Sequence, residues 1–293
     1  MQSSSTRNID TTRSRTMDLK LAHSPDSDDA FMFYALATKK ISTGNLRFIH
    51  VLDDIESLNQ KAKDGVYDIT ALSFHAYAYL AEQYLLLPSG ASFGERYGPV
   101  VVARGSLAAG GLRGKRVAVP GKLTTAFLAL QLYEPAFEPL FVPFDRVLAA
   151  VAQGEADAGV VIHEGQLTYA SEGLRKVVDL GEWWYEQTKL PLPLGCSAVR
   201  RSHERKTILQ ISKLLKESIQ YSLDHREEAL AYALQFARGL DTATADRFIS
   251  MYVNEWTLDY GERGRNAVQT LLDQGHEKGL LPNPVKAEFV APQ

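Results

Sequence analysis

The sequence has a single cysteine, Cys196, in 293 residues. One thiol cannot form an intramolecular disulfide, and a cysteine-rich zinc site needs several thiolates. No apolar run approaches the roughly 20 residues that a membrane-spanning helix requires. The 32 lysines and arginines are balanced by 35 aspartates and glutamates, so the chain lacks the basic excess of nucleic-acid-binding proteins. We therefore expect neither a nucleic acid nor a membrane as partner.

Two common catalytic motifs are also missing. The phosphate-binding Gly-x-x-x-x-Gly-Lys-Ser/Thr loop is absent. His163-Glu164 begins like a zinc-peptidase motif, but Leu167 stands where the second histidine would be. Cys196 lies in an apolar stretch and is more typical of a buried small residue than of a nucleophile.

The remaining composition is that of a globular protein with one large domain or two of ordinary size, since 45% of the residues are hydrophobic and 23% are charged. Residues 1–16 are polar and rich in serine, threonine and arginine, without the apolar core of a secretory signal. We expect a disordered leader there and a cytoplasmic location for the protein.

After this leader, apolar periodicity alternates between strand-like and helix-like segments. A first alternating series ends in the apolar run 99–103, a second follows a glycine-rich connector, and the extended segment 190–200 leads into four helical segments. This order predicts an α/β fold with two lobes and a helical C-terminal segment. We place lobe one at 17–103 plus 198–293 and lobe two at 104–197, with a ligand cleft between them.

Four loops that follow predicted strands carry polar side chains, and such loops hold the ligand sites of open α/β sheets. The first contains Ser24, Asp28 and Asp29. For each carboxylate, a structural position at a helix N-terminus is as good an explanation as a position in the cleft wall. Together with Asp26 they make three carboxylates, which would repel a carboxylate ligand, so we expect at least one to point away or to bind substrate hydroxyls.

The second loop places Ser73 before a helix, where it caps the helix, faces the cleft or does both. His75 would lie within that helix and pack.

The third loop leads into a helix through Thr124 and Thr125, whose hydroxyls and N–H groups suit a small anion or carboxylate. The alternative is that Thr124 acts only as a helix cap.

The fourth loop begins at His163, directly after a buried strand. A histidine there can face a cleft and act as a general base, although an exposed turn is equally consistent. Trp183 and Trp184 either line the cleft or pack in the core.

One of these loops belongs to a specific motif, residues 159–169, which read Gly-Val-Val-Ile-His-Glu-Gly-Gln-Leu-Thr-Tyr. Less specific blocks comprise residues 24–25, 28–36, 190–195, 252–255, 261 and 264. Together these blocks resemble the 1,4-dihydroxy-6-naphthoate synthase family of menaquinone biosynthesis. The resemblance covers residues 17–290, which is nearly the whole chain apart from the leader.

The resemblance implies the fold of type II periplasmic binding proteins, with two lobes joined by crossing strands, in a cytoplasmic enzyme. It implies a carbon–carbon lyase that converts cyclic dehypoxanthine futalosine, an aryl carboxylate, to 1,4-dihydroxy-6-naphthoate and dihydroxyacetone in the futalosine pathway. Neither a metal nor an organic cofactor is implied. His163 matches the histidine taken as the catalytic base, and Ser73, Thr124 and Thr125 match ligand-binding loops. The oligomeric state is not implied.

The opening loop departs from the family pattern, because Asp26, Asp28 and Ala30 stand where members usually have cysteine, asparagine and threonine. This makes the cleft more acidic and bears on the substrate more than on the fold. Ser24, Asp28 and Asp29 remain our candidates for substrate binding.

Three alternative functions stay open. A solute-binding protein of a transporter that takes small carboxylates would share the fold, and an export signal or lipid anchor would be expected of it. Chorismate dehydratase of the same pathway would also share the fold, but the His-Glu-Gly block disfavours it. The third alternative is a relative that binds a ligand and performs no chemistry.

Overall fold

The computed structural model describes residues 16–107 and 111–291, so the predicted leader lies outside the described residues except for Thr16. The described chain forms two α/β lobes, each built on its own sheet. The first series of elements is β1 (Met17–His23), α1 (Ser27–Met32), α2 (Tyr34–Ala37), β2 (Leu46–Leu52), α3 (Ile55–Ala62), β3 (Ile69–Ser73), α4 (Phe74–Leu80), β4 (Tyr84–Leu86) and β5 (Ser92–Gly94).

The second series forms the other lobe and consists of β6 (Val100–Ala103), β7 (Arg116–Val119), α5 (Thr125–Tyr133), β8 (Glu138–Phe141), α6 (Val147–Gln153), β9 (Ala158–Val161), α7 (Gly165–Thr168), β10 (Arg175–Asp179) and α8 (Leu180–Thr188). The chain then returns to the first lobe and continues as helices. These last elements are β11 (Leu192–Arg200), α9 (Arg205–Asp224), α10 (Arg226–Ala233), α11 (Thr242–Tyr252), α12 (Glu255–Leu258) and α13 (Gly261–Glu277).

The first sheet has the strand order β2-β1-β3-β11-β4, with β5 paired to β11, and the second has the order β10-β6-β9-β7-β8. Strand β1 runs parallel to β2 and β3, and β7 runs parallel to β8 and β9. Because parallel strands end at the same edge of a sheet, the loops after β1 and β3 lie together, and so do those after β7 and β9. The predicted α/β fold with two lobes and a helical C-terminal segment is confirmed.

The chain changes sheets earlier than the predicted lobe boundaries suggest. Strand β6, which ends at the predicted boundary residue Ala103, pairs within the second sheet, and β11 joins the first sheet from Leu192 onward. An apolar run shows that a strand forms but not which sheet it joins, since partner choice depends on long-range pairing. The boundaries at 103/104 and 197/198 therefore stay a prediction.

The two lobes share an apolar core behind the cleft. Helices α4, α5 and α13 pack against one another there. The same cluster of buried side chains contains Phe74 of the first lobe, Leu128 of the second and Leu271 of α13. The apolar core behind the cleft is therefore continuous between the two lobes, whereas the polar loops lie on the cleft side. None of the helices in the described ranges combines the length and apolar character needed to cross a membrane.

The segment that crosses between the lobes packs against the start of α8 without space for a side chain. A Cβ atom added to Gly181 would lie 1.9 Å from the carbonyl oxygen of Tyr97. Such a distance is far inside van der Waals contact, so a side chain there would force the crossing segment away from α8. Gly181 therefore fixes the position of this connection.

We expect the substitution Gly181→Ala to lower the free energy of unfolding by about 1–3 kcal/mol, the usual cost of overpacking. Gly105→Ala is the matched control, because a Cβ added at Gly105 meets no atom of the described residues within 4 Å. Urea denaturation followed by circular dichroism measures both changes. Equal stability of the two variants would contradict the described packing of α8.

Candidate active site

The cleft between the lobes is lined by all seven residues that the sequence indicated: Ser24, Asp28, Asp29, Ser73, Thr124, Thr125 and His163. It contains about 780 Å³ of empty space, counting its open mouth. The structure thus brings the candidates together in one cleft, while their individual roles stay predictions.

His163 is one of the residues that line this cleft. It follows β9 in a left-handed backbone conformation with a φ of 56°, which turns it out of the strand direction. Its Nδ1 lies 3.1 Å from a carboxylate oxygen of Asp26. Its Nε2 is buried and has no hydrogen-bond partner among the described residues. A carboxylate at this distance favours the tautomer with its proton on Nδ1, which leaves the lone pair of Nε2 to accept a proton.

Asp26 also forms an ion pair with Arg238, from the C-terminal helical segment. The side chain of Asp26 is almost fully buried, so the guanidinium compensates much of the cost of burying the carboxylate. Phe144 lies between the two basic groups: its ring centroid is 4.4 Å from the Arg238 guanidinium and 4.8 Å from the His163 ring. Three distant parts of the chain therefore meet at the histidine.

Sequence reasoning noticed Asp26 only as a departure from the family pattern and missed Arg238. These two residues are 212 positions apart in the chain. No local pattern reports such a pair, because it depends on how the C-terminal helices pack against the opening loop.

Ser73 is held in place by Asn59, a fully buried residue of α3 that the sequence analysis missed. The Asn59 Nδ2 donates to the Ser73 hydroxyl at 3.0 Å, and the Ser73 N–H donates to Asn59 Oδ1 at 2.9 Å. Ser73 occupies the N-cap position of α4, but its hydroxyl makes no capping hydrogen bond. The hydroxyl proton thus remains available to a molecule in the cleft.

The hydroxyl protons of Thr124 and Thr125 are both committed within the protein. Thr124 caps α5 by accepting from the Phe127 N–H at 3.2 Å, and it donates to the Gly121 carbonyl at 3.0 Å. Thr125 donates to the Leu194 carbonyl at 2.6 Å. The first N–H groups of a helix have no partner within it, so an anion at this position would meet those N–H groups rather than the hydroxyl protons.

The acidic loop is buried in the cleft wall. Asp29 accepts a hydrogen bond from the Ser24 N–H at 2.7 Å, and burial raises the pKa of Asp29 to about 6. Asp28 has an oxygen, Oδ1, without a partner among the described residues. Burial, together with the charges of the neighbouring carboxylates, raises the pKa of Asp28 well above its usual range. Among the described residues, no group of three or more histidine, cysteine, aspartate or glutamate side chains is arranged to hold a metal ion.

The other candidates from the sequence have structural contacts. The Cys196 thiol donates to the Leu72 carbonyl at 3.3 Å, and burial raises the pKa of this thiol. The Trp184 indole donates to the Pro191 carbonyl at 3.2 Å, and Trp183 packs edge-on against Tyr133. Neither tryptophan is among the side chains that line the cleft.

Comparison with known proteins gives a consistent set of matches. A family model described as menaquinone biosynthesis matches residues 19–277. The 1,4-dihydroxy-6-naphthoate synthase of Thermus thermophilus is 43% identical over 267 residues, which cover 91% of this chain and 97% of that protein. The enzyme of the same name from Streptomyces coelicolor is 36% identical, with 90% and 95% coverage.

Solved structures agree on the architecture. A protein from Archaeoglobus fulgidus has a TM-score of 0.86 and 48% identity, covering 90% of this chain and 98% of its own. The alkanesulfonate-binding protein SsuA from Xanthomonas axonopodis has a TM-score of 0.70 at 15% identity, with 93% and 97% coverage. This second likeness shows the fold alone, and it confirms the periplasmic-binding-protein-like architecture that the resemblance implied.

His75 offers a test of the cleft wall. Its Nδ1 lies 3.2 Å from the Thr124 carbonyl, and burial lowers the pKa of His75 to about 4. As the pH falls from 6.5 towards 4, the unfolded chain takes up a proton at this site and the folded protein does not. The free energy of unfolding therefore falls, by up to roughly 3 kcal/mol from this residue.

We expect His75→Gln to lose less stability than the natural protein between pH 6.5 and 4. Urea titrations at several pH values measure the two slopes. Parallel loss of stability in both proteins would contradict the burial of a neutral histidine at this position.

Proposed function

This chain belongs to the menaquinone biosynthesis family, and on that premise we propose that it is a 1,4-dihydroxy-6-naphthoate synthase. The proposed reaction splits cyclic dehypoxanthine futalosine into 1,4-dihydroxy-6-naphthoate and dihydroxyacetone. The observation that carries the proposal is the His163 ring, which lines the cleft. Its Nδ1 lies 3.1 Å from a carboxylate oxygen of Asp26, and its Nε2 has no partner among the described residues.

The chemistry needs a base and donors rather than a redox group. Breaking a carbon–carbon bond beside a carbonyl group begins when a base removes a hydroxyl proton, which is the role we assign to His163. The electron pair of the broken bond moves into the other fragment, where hydrogen-bond donors stabilise the oxyanion. Formation of the aromatic ring supplies driving force.

Substrate binding is assigned to groups from both lobes. The hydroxyl of Ser73 is free to donate, and the N–H groups at the start of α5 suit the aryl carboxylate. Two side-chain hydrogen bonds join the lobes at the cleft: Ser27 donates to Glu164 at 3.4 Å, and Tyr252 bonds Gln166 at 2.7 Å. In the proposed mechanism, closure of the lobes through such contacts excludes water from the reacting atoms.

The solute-binding alternative rests on the fold alone, since the sulfonate-binding relative shares only 15% identity. A binding protein would take up the compound without forming product, so turnover separates the two functions. The cytoplasmic location, the lack of a cofactor and the absence of nucleic-acid or membrane partners stay predictions from the sequence.

We expect His163→Ala to lower turnover about 10²–10⁴-fold, the usual contribution of a general base, without loss of folding. Anaerobic incubation with cyclic dehypoxanthine futalosine and mass detection of the naphthoate measures the rate. His225→Gln is the control, because His225 is exposed and stacks on Tyr221 at the surface. Unchanged turnover in a folded His163→Ala variant would remove His163 from the mechanism.

We expect Ser73→Ala to raise KM about fivefold and to leave kcat within about twofold. Loss of one hydrogen bond to a ligand costs about 1 kcal/mol, and Asn59 still fixes the backbone of residue 73. Steady-state kinetics with the same substrate measures both constants. A drop in kcat at constant KM would place the Ser73 hydroxyl at the reacting atoms instead.

A further inference from the structure

Four buried side-chain atoms lack a hydrogen-bond partner among the described residues: Asp28 Oδ1, His50 Nε2, His163 Nε2 and Tyr260 Oη. Only two of these residues, Asp28 and His163, line the cleft. His163 Nε2 is the proposed base. The other atom, Asp28 Oδ1, is a second polar group that the protein leaves open to a bound molecule, and the mechanism described so far does not use it.

The surroundings of Asp28 are unfavourable to a negative charge. Asp28 is 9% exposed. The titratable groups that act on it are Asp26 and Asp29 in its own loop, Glu164 in the second lobe and Tyr252 in α11. Asp26 in turn contacts His163 and Arg238, and Arg226 lies over Phe31 of the same helix as Asp28. The carboxylates therefore outnumber the cations on this side of the cleft.

The nearby cations already have other partners. Arg238 pairs with Asp26, whose other carboxylate oxygen lies 3.1 Å from Nδ1 of His163. Arg226 pairs with Asp246 and lies over the ring of Phe31. Within the described ranges, neither arginine is thus left to compensate a charge on Asp28.

Asp29 accepts a hydrogen bond from the Ser24 N–H at 2.7 Å, whereas Oδ1 of Asp28 has no partner among the described residues. A donor to a carboxylate oxygen favours the charged form, so Asp29 is the better carrier of negative charge in this pair. Burying an ionised carboxylate that has an oxygen without a hydrogen-bond donor lowers the stability of the folded protein, and protonation of the carboxyl group avoids that loss.

We propose that Asp28 is a neutral carboxylic acid in the resting protein and donates a hydrogen bond to the substrate oxygen that becomes negative during bond cleavage. The inference rests on the proposed function, because it assigns Asp28 a partner in that reaction. A carboxyl group kept neutral by an apolar or acidic site can serve as such a donor at neutral pH.

The proposed step balances without a further reactant. His163 takes the hydroxyl proton, that oxygen becomes a carbonyl, and the carbon–carbon electron pair moves into the other fragment as an enolate. The Asp28 O–H group stabilises the enolate oxygen. The proton on His163 then passes to that oxygen, so both side chains end the cycle as they began it.

The first test compares two substitutions at one position. Asp28→Asn keeps a hydrogen-bond donor of the same shape, whereas Asp28→Ala removes it. We expect Asp28→Asn to retain turnover within about tenfold of the natural protein and Asp28→Ala to lose about 10²-fold or more, the usual effect of removing an oxyanion donor. Equal loss in the two variants would overturn the donor role.

The pH profile of kcat/KM gives the second signature. In the natural protein, turnover falls at alkaline pH as Asp28 ionises and stops donating. We expect this alkaline fall to disappear in Asp28→Asn. Asp29→Asn is the matched comparison: removing the neighbouring negative charge shifts the alkaline fall to lower pH without abolishing it. An unchanged alkaline fall in Asp28→Asn would contradict the proposal.

The third readout needs no substrate. Folding raises the pKa of Asp28 above its ordinary value of 3.8. The contribution of the protonated Asp28 to the free energy of unfolding is therefore fully present below pH 3.8. It is lost as the pH rises towards the pKa in the folded protein. The stability of Asp28→Asn relative to the natural protein should therefore increase from about pH 4 to pH 8 in urea titrations. A pH-independent difference would overturn the neutral carboxyl group.

The experiments distinguish failure of the proposed function from failure of the proposal about Asp28. If the natural protein does not convert cyclic dehypoxanthine futalosine, the reaction and the donor role fall together. The increase in relative stability with pH would still report the proton on Asp28.

Discussion

The contact between Asp26 and His163 is the interaction on which the site depends. It joins the opening loop of the first lobe to the loop after β9 in the second lobe, at a distance of 3.1 Å. A carboxylate beside Nδ1 favours the tautomer that carries its proton there and leaves the lone pair on Nε2. The arrangement that activates the base is therefore formed only when the two lobes face each other across the cleft.

Burial makes each carboxyl group of the opening loop depend on its own hydrogen-bond and ion-pair partners. Carboxyl groups at an exposed loop would ionise and bind water, but the three in this cleft wall have different partners. Asp26 is paired, Asp29 is held by a backbone N–H, and Asp28 has an oxygen without a donor. The continuous apolar core behind the cleft holds these groups in place, because α4, α5 and α13 pack across both lobes.

Much of the fold could be predicted from local sequence patterns. Strands β6, β7 and β9 follow directly from short apolar runs rich in valine. The sequence patterns assigned no element to residues 166–189, which contain β10 and α8. Those elements depend on tertiary packing, in which Gly181 fits against the backbone of Tyr97 and Trp184 packs in the core shared by the two lobes.

The candidate site was predicted through its loops and its motif, and its supporting residues were not. His163, Ser73 and the opening loop stand directly after strands, which is a signal in the sequence. Arg238 and Asn59 have no such signal, because their importance lies in long-range contacts with Asp26 and Ser73. The hydroxyls of Thr124 and Thr125 were expected to bind the ligand, yet their protons are committed to carbonyl groups of the protein.

The most direct test of this account is a comparison of the natural protein with Asp26→Asn in anaerobic conversion of cyclic dehypoxanthine futalosine. The naphthoate and dihydroxyacetone are both quantified by mass spectrometry. We expect the natural protein to form the two products in equal amounts and the variant to react at least about 10²-fold more slowly, because an amide no longer fixes the histidine tautomer. Conversion by Asp26→Asn at the natural rate would contradict the account.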